Sequence, residues 1–297
     1  MTRLKLGIVD SSVGNGHMFS FSSLFNGYNP AELANCPYPS IIDYLPKYRT
    51  PVQILQKKAE ISAVWMRDIE FAENVARFGN VVSVYSDIDS LIENVDGVII
   101  TNDEPVGRES ILNKCLDSGK IVFVDKMIAR NSEILLEKIS RQRFPGQLYC
   151  ASALSFSSSF QGLAWESSTE CMIFSSPKSW SNYGIHVVDL FLSFAYANSL
   201  EYEIGRLTHD NSSSEREIIV LNAGGGKILL RTEGRTNTEF SIKILKNGKQ
   251  RVVNMPDPFN AFTKMLDTWL TRVPEESHSS EYERYKNAIA ILGFDQE

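Results

Sequence analysis

The sequence predicts an α/β protein of two domains, a doubly wound parallel sheet followed by an α+β domain with an open, mostly antiparallel sheet. Three observations indicate this fold class. The chain has 297 residues, which suits two ordinary domains. Short apolar runs alternate with helical patterns in the first half. Successive strand patterns joined by glycine-containing turns then dominate, so we expect domains at residues 1–127 and 128–297.

The first half shows strand and helix patterns in strict alternation. Its predicted strands are Leu4–Val9, Ile61–Trp65, Val81–Tyr85, Asp96–Thr101 and Lys120–Val124. Its predicted helices are Phe19–Phe25, Asp68–Arg77, Asp87–Glu93 and Arg108–Ser118. The last two strands are almost continuously apolar, as parallel strands buried on both faces require. Asn26–Pro51 is longer than an ordinary connection, and loops of that length are usually functional.

The second half carries fewer helical patterns. Predicted helices are Leu135–Arg141, Gly184–Tyr196 and a last helix, Phe259–Leu270. Predicted strands are Glu201–Thr208, Arg216–Asn222, Lys227–Glu233 and Thr238–Leu245. Asn222–Gly226 and Lys246–Gly248 are typical hairpin turns, because glycine and asparagine tolerate positive φ. This succession predicts an antiparallel sheet.

Composition excludes several classes of function. The chain has 30 basic and 36 acidic residues and a net charge of −6, which argues against nucleic acid or an anionic membrane as the main partner. The four cysteines form no CxxC pair, so we expect reduced thiols and no metal site. No signal-peptide or membrane-spanning pattern is present, and we expect a cytoplasmic protein.

The loop after the first strand is the first candidate site. In an open parallel sheet, ligands bind at the carboxyl ends of the strands near the switch in strand order. Here the loop has two of the three glycines of a dinucleotide motif, a pattern that a ligand-free flexible loop also shows. The residues expected to contact a cofactor in this loop are Asp10, Ser11, Ser12, Gly14, Gly16 and His17.

Other strand ends complete the predicted cofactor site. Met66 and Arg67 follow the second strand, Thr101 and Asn102 stand at the end of the fourth, and Asp125, also expected to contact the cofactor, follows the fifth. Arg67 would pair with the 2′-phosphate of NADP, whereas Asp68 would serve NAD. The alternative for Arg67 is an ordinary solvated charge. The sequence leaves the choice between NAD and NADP open.

Asp125 and Lys126 directly follow the strand Lys120–Val124. A lysine at this edge of a buried sheet is partly desolvated and able to orient or transfer a proton on a substrate hydroxyl. A single lysine is more often a surface charge. Its place at the predicted ligand edge favours the catalytic interpretation.

Four segments together resemble the Gfo/Idh/MocA oxidoreductases in their order and spacing: Leu4–Val9 with its glycine loop, Asp96–Asn102, Ser118–Lys126 and Gly184–Leu190. The resemblance extends over essentially the whole chain. It implies an N-terminal Rossmann domain and a C-terminal α+β domain whose sheet joins two or four copies. It also implies an NAD(P)-dependent enzyme that moves a hydride to or from a secondary alcohol of a sugar, nucleotide sugar or cyclic polyol.

The resemblance also implies roles for individual residues. Asp125-Lys126 looks like the family's Glu-Lys-Pro, which makes Lys126 the catalytic lysine. His186 in Gly184–Asp189 resembles the histidine that accepts or donates the proton. Asn182 stands where the family often has an orienting aspartate, and Tyr183 and Asp189 are expected near the substrate. The alternative from the residues alone is a structural His186 with Asp189 as its buried partner.

The chain departs from the family at several places. Asp10 and Ser12 replace glycines, Met127 replaces a proline, and Ser155 stands where many relatives have arginine. These changes motivate a second hypothesis, a catalytically reduced relative that binds dinucleotide or sugar as a sensor or assembly subunit. A third is a lyase or hydrolase that retains its nicotinamide through each turnover.

Overall fold

The computed structural model describes residues 3–11, 16–45, 52–102, 105–209, 216–222, 225–234, 239–255, 258–272 and 278–293. The chain forms two compact units. The first comprises Met1–Ala129, Glu133–Cys150 and Leu266–Ser280. The second comprises Arg130–Ser132, Ala151–Met265 and Glu281–Glu297.

The first sheet has six strands in the order β3-β2-β1-β4-β5-β6. The strands are β1 Leu4–Asp10, β2 Ala59–Met66, β3 Ser83–Tyr85, β4 Gly97–Ile100, β5 Ile121–Asp125 and β6 Leu148–Ala151. β1 pairs in parallel with β2 and β4, and the pairs β2–β3 and β4–β5 are also parallel. This order places the switch between β1 and β4, where ligands bind in doubly wound folds.

Seven helices follow these strands within the described ranges. They are α1 His17–Asn26, α2 Pro39–Tyr44, α3 Gln53–Gln56, α4 Ile69–Phe78, α5 Ile88–Glu93, α6 Pro105–Asp117 and α7 Ser132–Ser140. Asp68 caps α4 by accepting from the backbone N–H of Phe71 at 3.1 Å, and Asp87 caps α5 through Ser90 at 2.8 Å. Both helix starts agree with the sequence prediction.

The second sheet also has six strands, in the order β12-β11-β7-β10-β9-β8. They are β7 Thr169–Ser176, β8 Tyr202–His209, β9 Arg216–Asn222, β10 Lys227–Thr232, β11 Ser241–Lys246 and β12 Lys249–Asn254. Only β7 and β10 pair in parallel. The other four pairs are antiparallel. The predicted fold class is therefore confirmed.

A long helix, α8 Trp180–Ala197, packs on this sheet through aromatic side chains. Phe174 of β7 lies with its ring centroid 5.9 Å from that of Phe191 and 5.6 Å from that of Phe194. All three side chains are buried. This contact holds one face of α8 against the sheet and so determines the orientation of the candidate site residues on the same helix.

Several elements differ from the sequence prediction. In the second half, β7 and β12 were not predicted, and Phe259–Leu270 is not the last helix, because α9 Pro258–Arg272 is followed by α10 His278–Leu292. β12 is an edge strand whose residues are mostly exposed, so it carries no apolar alternation. α10 was missed although its buried Ala288, Ile289 and Leu292 have helical spacing.

The first sheet extends beyond the predicted domain boundary at residue 127. β6 begins at Leu148 and lies beside β5, with the N–H of Val122 donating to the carbonyl of Gln147 at 2.7 Å. The segment that follows residue 127 thus supplies the sixth strand. Within the described ranges, no helix combines the length and the apolar character that a bilayer span requires.

Candidate functional site

Polar side chains from the ends of β1 and β4 meet at the switch point. Thr101 Oγ1 donates to Asp10 Oδ2 at 2.8 Å, and Asn102 Nδ2 donates to Ser11 Oγ. All four residues are buried. Because unpaired polar groups are costly inside a protein, these hydrogen bonds hold the two strand ends in one arrangement. The structure therefore brings together four of the residues predicted to contact a cofactor.

The first turns of α6 close over the same strand ends. Arg108 is buried, and its Nη1 donates to the carbonyl of Asn102 at 3.4 Å. A Cβ added to Gly107 would lie 2.5 Å from Ser11 Oγ, so only glycine permits this approach. Arg108 was not among the predicted site residues. The sequence pattern that could have indicated Arg108 is a basic residue in the first turn of the helix that follows the polar end of a buried strand.

The start of α1 is suited to an anion. Its N-cap is Gly16, which has no side chain to accept a backbone N–H, and its first turn has no acidic residue. In contrast, aspartates cap both α4 and α5. An uncapped helix start presents N–H groups and the positive end of the helix dipole. Two other predicted loop residues, Ser12 and Gly14, lie outside the described residues.

The long insertion packs against this helix start. A Cβ on Gly16 would lie 2.6 Å from Ile41 Cδ1 and 2.9 Å from Tyr38 Cγ, so the glycine is required for packing within the chain. Tyr44 Oη lies 2.6 Å from Ser20 Oγ. Burial raises the pKa of Tyr44 to about 12 although the hydrogen bond to Ser20 opposes that rise. The described part of the insertion is therefore an integral layer over α1.

His17 and Asp125 connect the start of α1 to the end of β5. His17 Nδ1 contacts Asp125 Oδ2, and the carboxylate is buried. The next residue, Lys126, has a φ of 71°, a conformation that is uncommon for any residue except glycine. Such outliers persist where surrounding contacts impose them, and they cluster at functional sites. The predicted catalytic lysine thus has an imposed backbone conformation.

The end of β2 presents an exposed arginine. Met66 is buried and Arg67 is exposed. Asp68, the alternative group for ribose recognition, accepts the N–H of Phe71 as the cap of α4. Asp68 is thus engaged as a helix cap, and both charges are exposed at this strand end.

In the second unit, His186 on α8 is bound to a serine. Its Nδ1 lies 2.8 Å from Ser152 Oγ, and Ser152 is buried. Asn182 has an exposed side chain one turn earlier on α8. Ser152 was not predicted, because it is 34 residues from His186 in the sequence and belongs to no motif. The hydrogen bond that Nδ1 makes influences which of the two ring nitrogens carries the proton.

Asp189 is buried within a network of donors. It accepts the N–H of Ser152 at 3.1 Å, the hydroxyl of Ser155 at 2.6 Å and Arg284 Nη2 at 2.6 Å. A buried carboxylate requires such partners. Arg284 comes from α10, an element that was not predicted. Asp189 therefore positions the residues around His186 while Arg284 balances its charge.

Tyr183 lies beside His186 on the same helix. Its ring centroid is 5.2 Å from that of His186, and the ring stacks on Phe240 at 6.0 Å with an interplanar angle of 16°. Lys178 Nζ donates to Tyr183 Oη at 2.7 Å. Lys178 and Phe240 were not predicted as site residues.

The cysteines agree with the prediction of reduced thiols. All four cysteines are free thiols, and three of them are buried. Burial raises the pKa of the Cys115 thiol to about 12. Among the described residues, no group of three His, Cys, Asp or Glu side chains is arranged to hold a metal ion.

Comparisons of the sequence find limited similarity. No family model matches the chain. A trans-1,2-dihydrobenzene-1,2-diol dehydrogenase of Xenopus laevis is 33% identical over 86 residues, which is 28% of this chain and 26% of that protein. The match therefore spans about a quarter of the curated relative.

Comparisons of the structure extend over nearly the whole chain. A myo-inositol dehydrogenase from Lactobacillus casei, solved with NAD(H) and myo-inositol, matches with a TM-score of 0.67 at 13% identity, covering 99% of this chain and 94% of that one. A myo-inositol 2-dehydrogenase from Lactobacillus plantarum has a TM-score of 0.69 at 11% identity, with 99% and 98% covered. An oxidoreductase from Thermotoga maritima has a TM-score of 0.65 at 16% identity, with 99% and 96% covered. The resemblance seen in the sequence is thus confirmed at the level of structure, and the chain has the fold of the Gfo/Idh/MocA oxidoreductases.

Proposed function

We propose that this protein is an NAD(P)-dependent dehydrogenase that acts on a secondary alcohol of a cyclic polyol or related carbohydrate. The observation that carries the proposal is the Asp125-Lys126 pair at the end of β5. The Asp125 carboxylate is bound to His17, and Lys126 has a φ of 71°. This occurs in the fold shared with an inositol dehydrogenase that binds NAD(H) and myo-inositol.

The first unit offers groups suited to a dinucleotide. The uncapped start of α1 would hold the pyrophosphate through backbone N–H groups. The buried hydrogen bonds of Asp10, Ser11, Thr101 and Asn102 would keep the strand ends rigid below it. Exposed Arg67 would bind a 2′-phosphate, which favours NADP, and NAD remains the alternative cofactor.

The proposed chemistry divides proton handling between two residues. The bound nicotinamide would exchange a hydride with the carbon of the substrate. Lys126 would donate a hydrogen bond to the substrate oxygen and orient it. His186 would donate from Nδ1 to Ser152 Oγ, and its Nε2 would accept the hydroxyl proton during oxidation and return it during reduction.

The proposal is tested first by cofactor binding and turnover. NADH and NADPH are titrated by fluorescence, and myo-inositol, scyllo-inositol and a dihydrodiol serve as substrates for NAD(P)⁺ reduction. Lys126→Asn keeps a residue that tolerates positive φ while it removes the ammonium. We expect turnover to fall roughly 100- to 1,000-fold, the usual effect of removing one hydrogen-bond donor to the reacting oxygen, with cofactor affinity unchanged.

Lys57→Asn is the matched control, because Lys57 is an exposed lysine of the same unit. It should leave turnover and cofactor affinity at the wild-type level. If neither NADH nor NADPH binds, the proposed function is refuted. Unchanged turnover in Lys126→Asn would refute the role of Lys126.

The second candidate is a relative that binds cofactor without turnover. The observation that favours it is Asn182, an exposed and uncharged residue at the place where the family often has an orienting aspartate. This candidate predicts NADH binding with no reduction of NAD(P)⁺ by any polyol tested. Assembly of two or four copies through the second sheet stays a prediction, to be measured by light scattering.

A further inference from the structure

A lysine and a tyrosine next to His186 are not used in the proton transfer. Lys178 Nζ lies 4.5 Å from the centroid of the Tyr183 ring and donates to its hydroxyl oxygen at 2.7 Å. The Tyr183 ring lies 5.2 Å from His186, and both rings contact Phe240. We call Lys178, Tyr183, His186 and Phe240 the Lys178 cluster. It places an ammonium group on the tyrosine whose ring neighbours the proposed proton acceptor.

The backbone holds Lys178 in an unusual conformation. Its φ is 60°, which is unfavourable for a side chain with a Cβ. The carbonyl of Lys178 accepts the N–H of Gly234 at 2.9 Å, and Ser176 accepts the N–H of Glu233 at 2.9 Å. These two bonds tie the loop before α8 to the end of β10. A strained residue that is fixed in this way is a candidate for function.

The Lys178 cluster carries a positive charge that is suited to binding an anion. Among the described residues, Lys178 forms no ion pair with a carboxylate, and its bond to Tyr183 uses one of three N–H donors. Two nearby carboxylates bind arginines: Asp189 binds Arg284, and Glu233 lies 3.4 Å from Arg231. The exposed Lys178 ammonium therefore bonds to Tyr183 without a described carboxylate as its ion-pair partner.

We propose that Lys178 and Tyr183 form a subsite for an oxyanion of the substrate, so that among related carbohydrates the protein prefers one that carries a carboxylate or a phosphate. Lys178 would supply charge-assisted hydrogen bonds, and the hydroxyl of Tyr183, whose oxygen accepts from Lys178, would donate its own hydrogen to the same group. Phe240 would support the ring. The inference rests on the proposed function, since it places this anion beside the proton-transfer residue.

The test compares ligands that differ in one group. The full-length protein is titrated by calorimetry with glucose, glucuronate and glucose 6-phosphate, with and without saturating NADH. One of the two anions should bind at least about tenfold more tightly than glucose, as a charge-assisted hydrogen bond allows. Which anion is preferred distinguishes a carboxylate from a phosphate.

Four variants test which residues cause the preference for an anionic ligand over glucose. Lys178→Asn tolerates positive φ and should abolish it, Lys178→Arg should retain most of it, and Tyr183→Phe should weaken it roughly threefold to tenfold. Lys249→Asn, an exposed lysine of β12, is the matched control and should change nothing.

Equal binding of the three ligands, no binding of any of them, or a preference that survives in Lys178→Asn would each overturn the inference. Failure of both NADH and NADPH to bind, with the anion preference intact, would instead refute the dehydrogenase and leave the subsite standing. The two proposals therefore fail separately.

Discussion

At the scale of single residues, the side chain that partners His186 determines what the imidazole can do. Ser152 Oγ lies 2.8 Å from Nδ1, and the hydroxyl also accepts the N–H of Leu154 at 3.4 Å. The family resemblance directs attention to Asn182, one turn before His186, but that side chain is exposed. Ser152 is therefore a positioning residue in our interpretation, because it acts on substrate only through His186.

Replacing this serine should separate catalysis from binding. In Ser152→Ala, the Nδ1 of His186 loses its partner and the neutral tautomer is no longer selected. We expect kcat to fall roughly threefold to tenfold, the value of one hydrogen bond, with KM nearly unchanged. Ser152→Thr keeps a hydroxyl and should restore most of the activity.

The nitrogen chemical shifts of His186 provide a readout that a purely structural role would not move. They should report a single neutral tautomer in the wild type and a mixture in Ser152→Ala. A single unchanged tautomer in the alanine variant would contradict this role for Ser152.

At the scale of elements, α8 combines a packing face with the candidate site. Gly184 lies on the packing face, where an added Cβ would meet Trp180 Cδ2 at 2.8 Å and Leu292 Cδ2 at 3.1 Å. Trp180 also donates from Nε1 to the carbonyl of Leu292 at 3.3 Å. Gly184 therefore permits close packing of the α8 start on the end of α10.

Gly184→Ala should destabilise the protein although alanine is the better helix former. The gain in helix propensity is about 1 kcal/mol, whereas overpacking a rigid indole costs about 1–3 kcal/mol. We expect a lower free energy of unfolding in urea, measured by circular dichroism. Ser181→Ala, at an exposed position of the same turn, is the control and should change it by less than about 0.5 kcal/mol. A stabilised Gly184→Ala would show that Trp180 moves aside without cost.

At the scale of the whole molecule, two compact units and a proposed cofactor predict how ligand changes stability. The groups assigned to the dinucleotide belong to the first unit. A ligand that binds only the folded state stabilises it by about 2.7 kcal/mol at 100 times its Kd. Scanning calorimetry with NADH or NADPH at that excess should therefore raise the melting temperature of the first unit.

The two cofactors also provide the control for Arg67. If this exposed arginine binds the 2′-phosphate, NADPH should stabilise the protein more than NADH does. Arg67→Gln should remove that difference and preserve the effect of NADH. Equal stabilisation by both cofactors in the wild type would exclude Arg67 from recognition of the 2′-phosphate.

Local pattern was sufficient for much of this molecule. Strands buried on both faces, such as β4 and β5, are continuous apolar runs. Asp68 and Asp87 mark the first turns of the helices that they cap. The alternation of these elements predicts the doubly wound sheet, and the strand end that carries Asp125 and Lys126 follows from it. β12 lacked such a pattern because most residues of this edge strand are exposed, whereas α10 has apolar residues at helical spacing that the prediction missed.

By itself, then, the sequence determined the fold class, the strand end that carries Lys126 and the helix that carries His186. Only the tertiary structure decided what those residues touch. His17 and Asp125 are 108 residues apart, and Arg284 and Asp189 are 95 apart. Secondary structure follows from local spacing and propensity, whereas the partner of a buried charge or an imidazole is chosen by the packing of distant elements. No periodicity in the sequence records that choice.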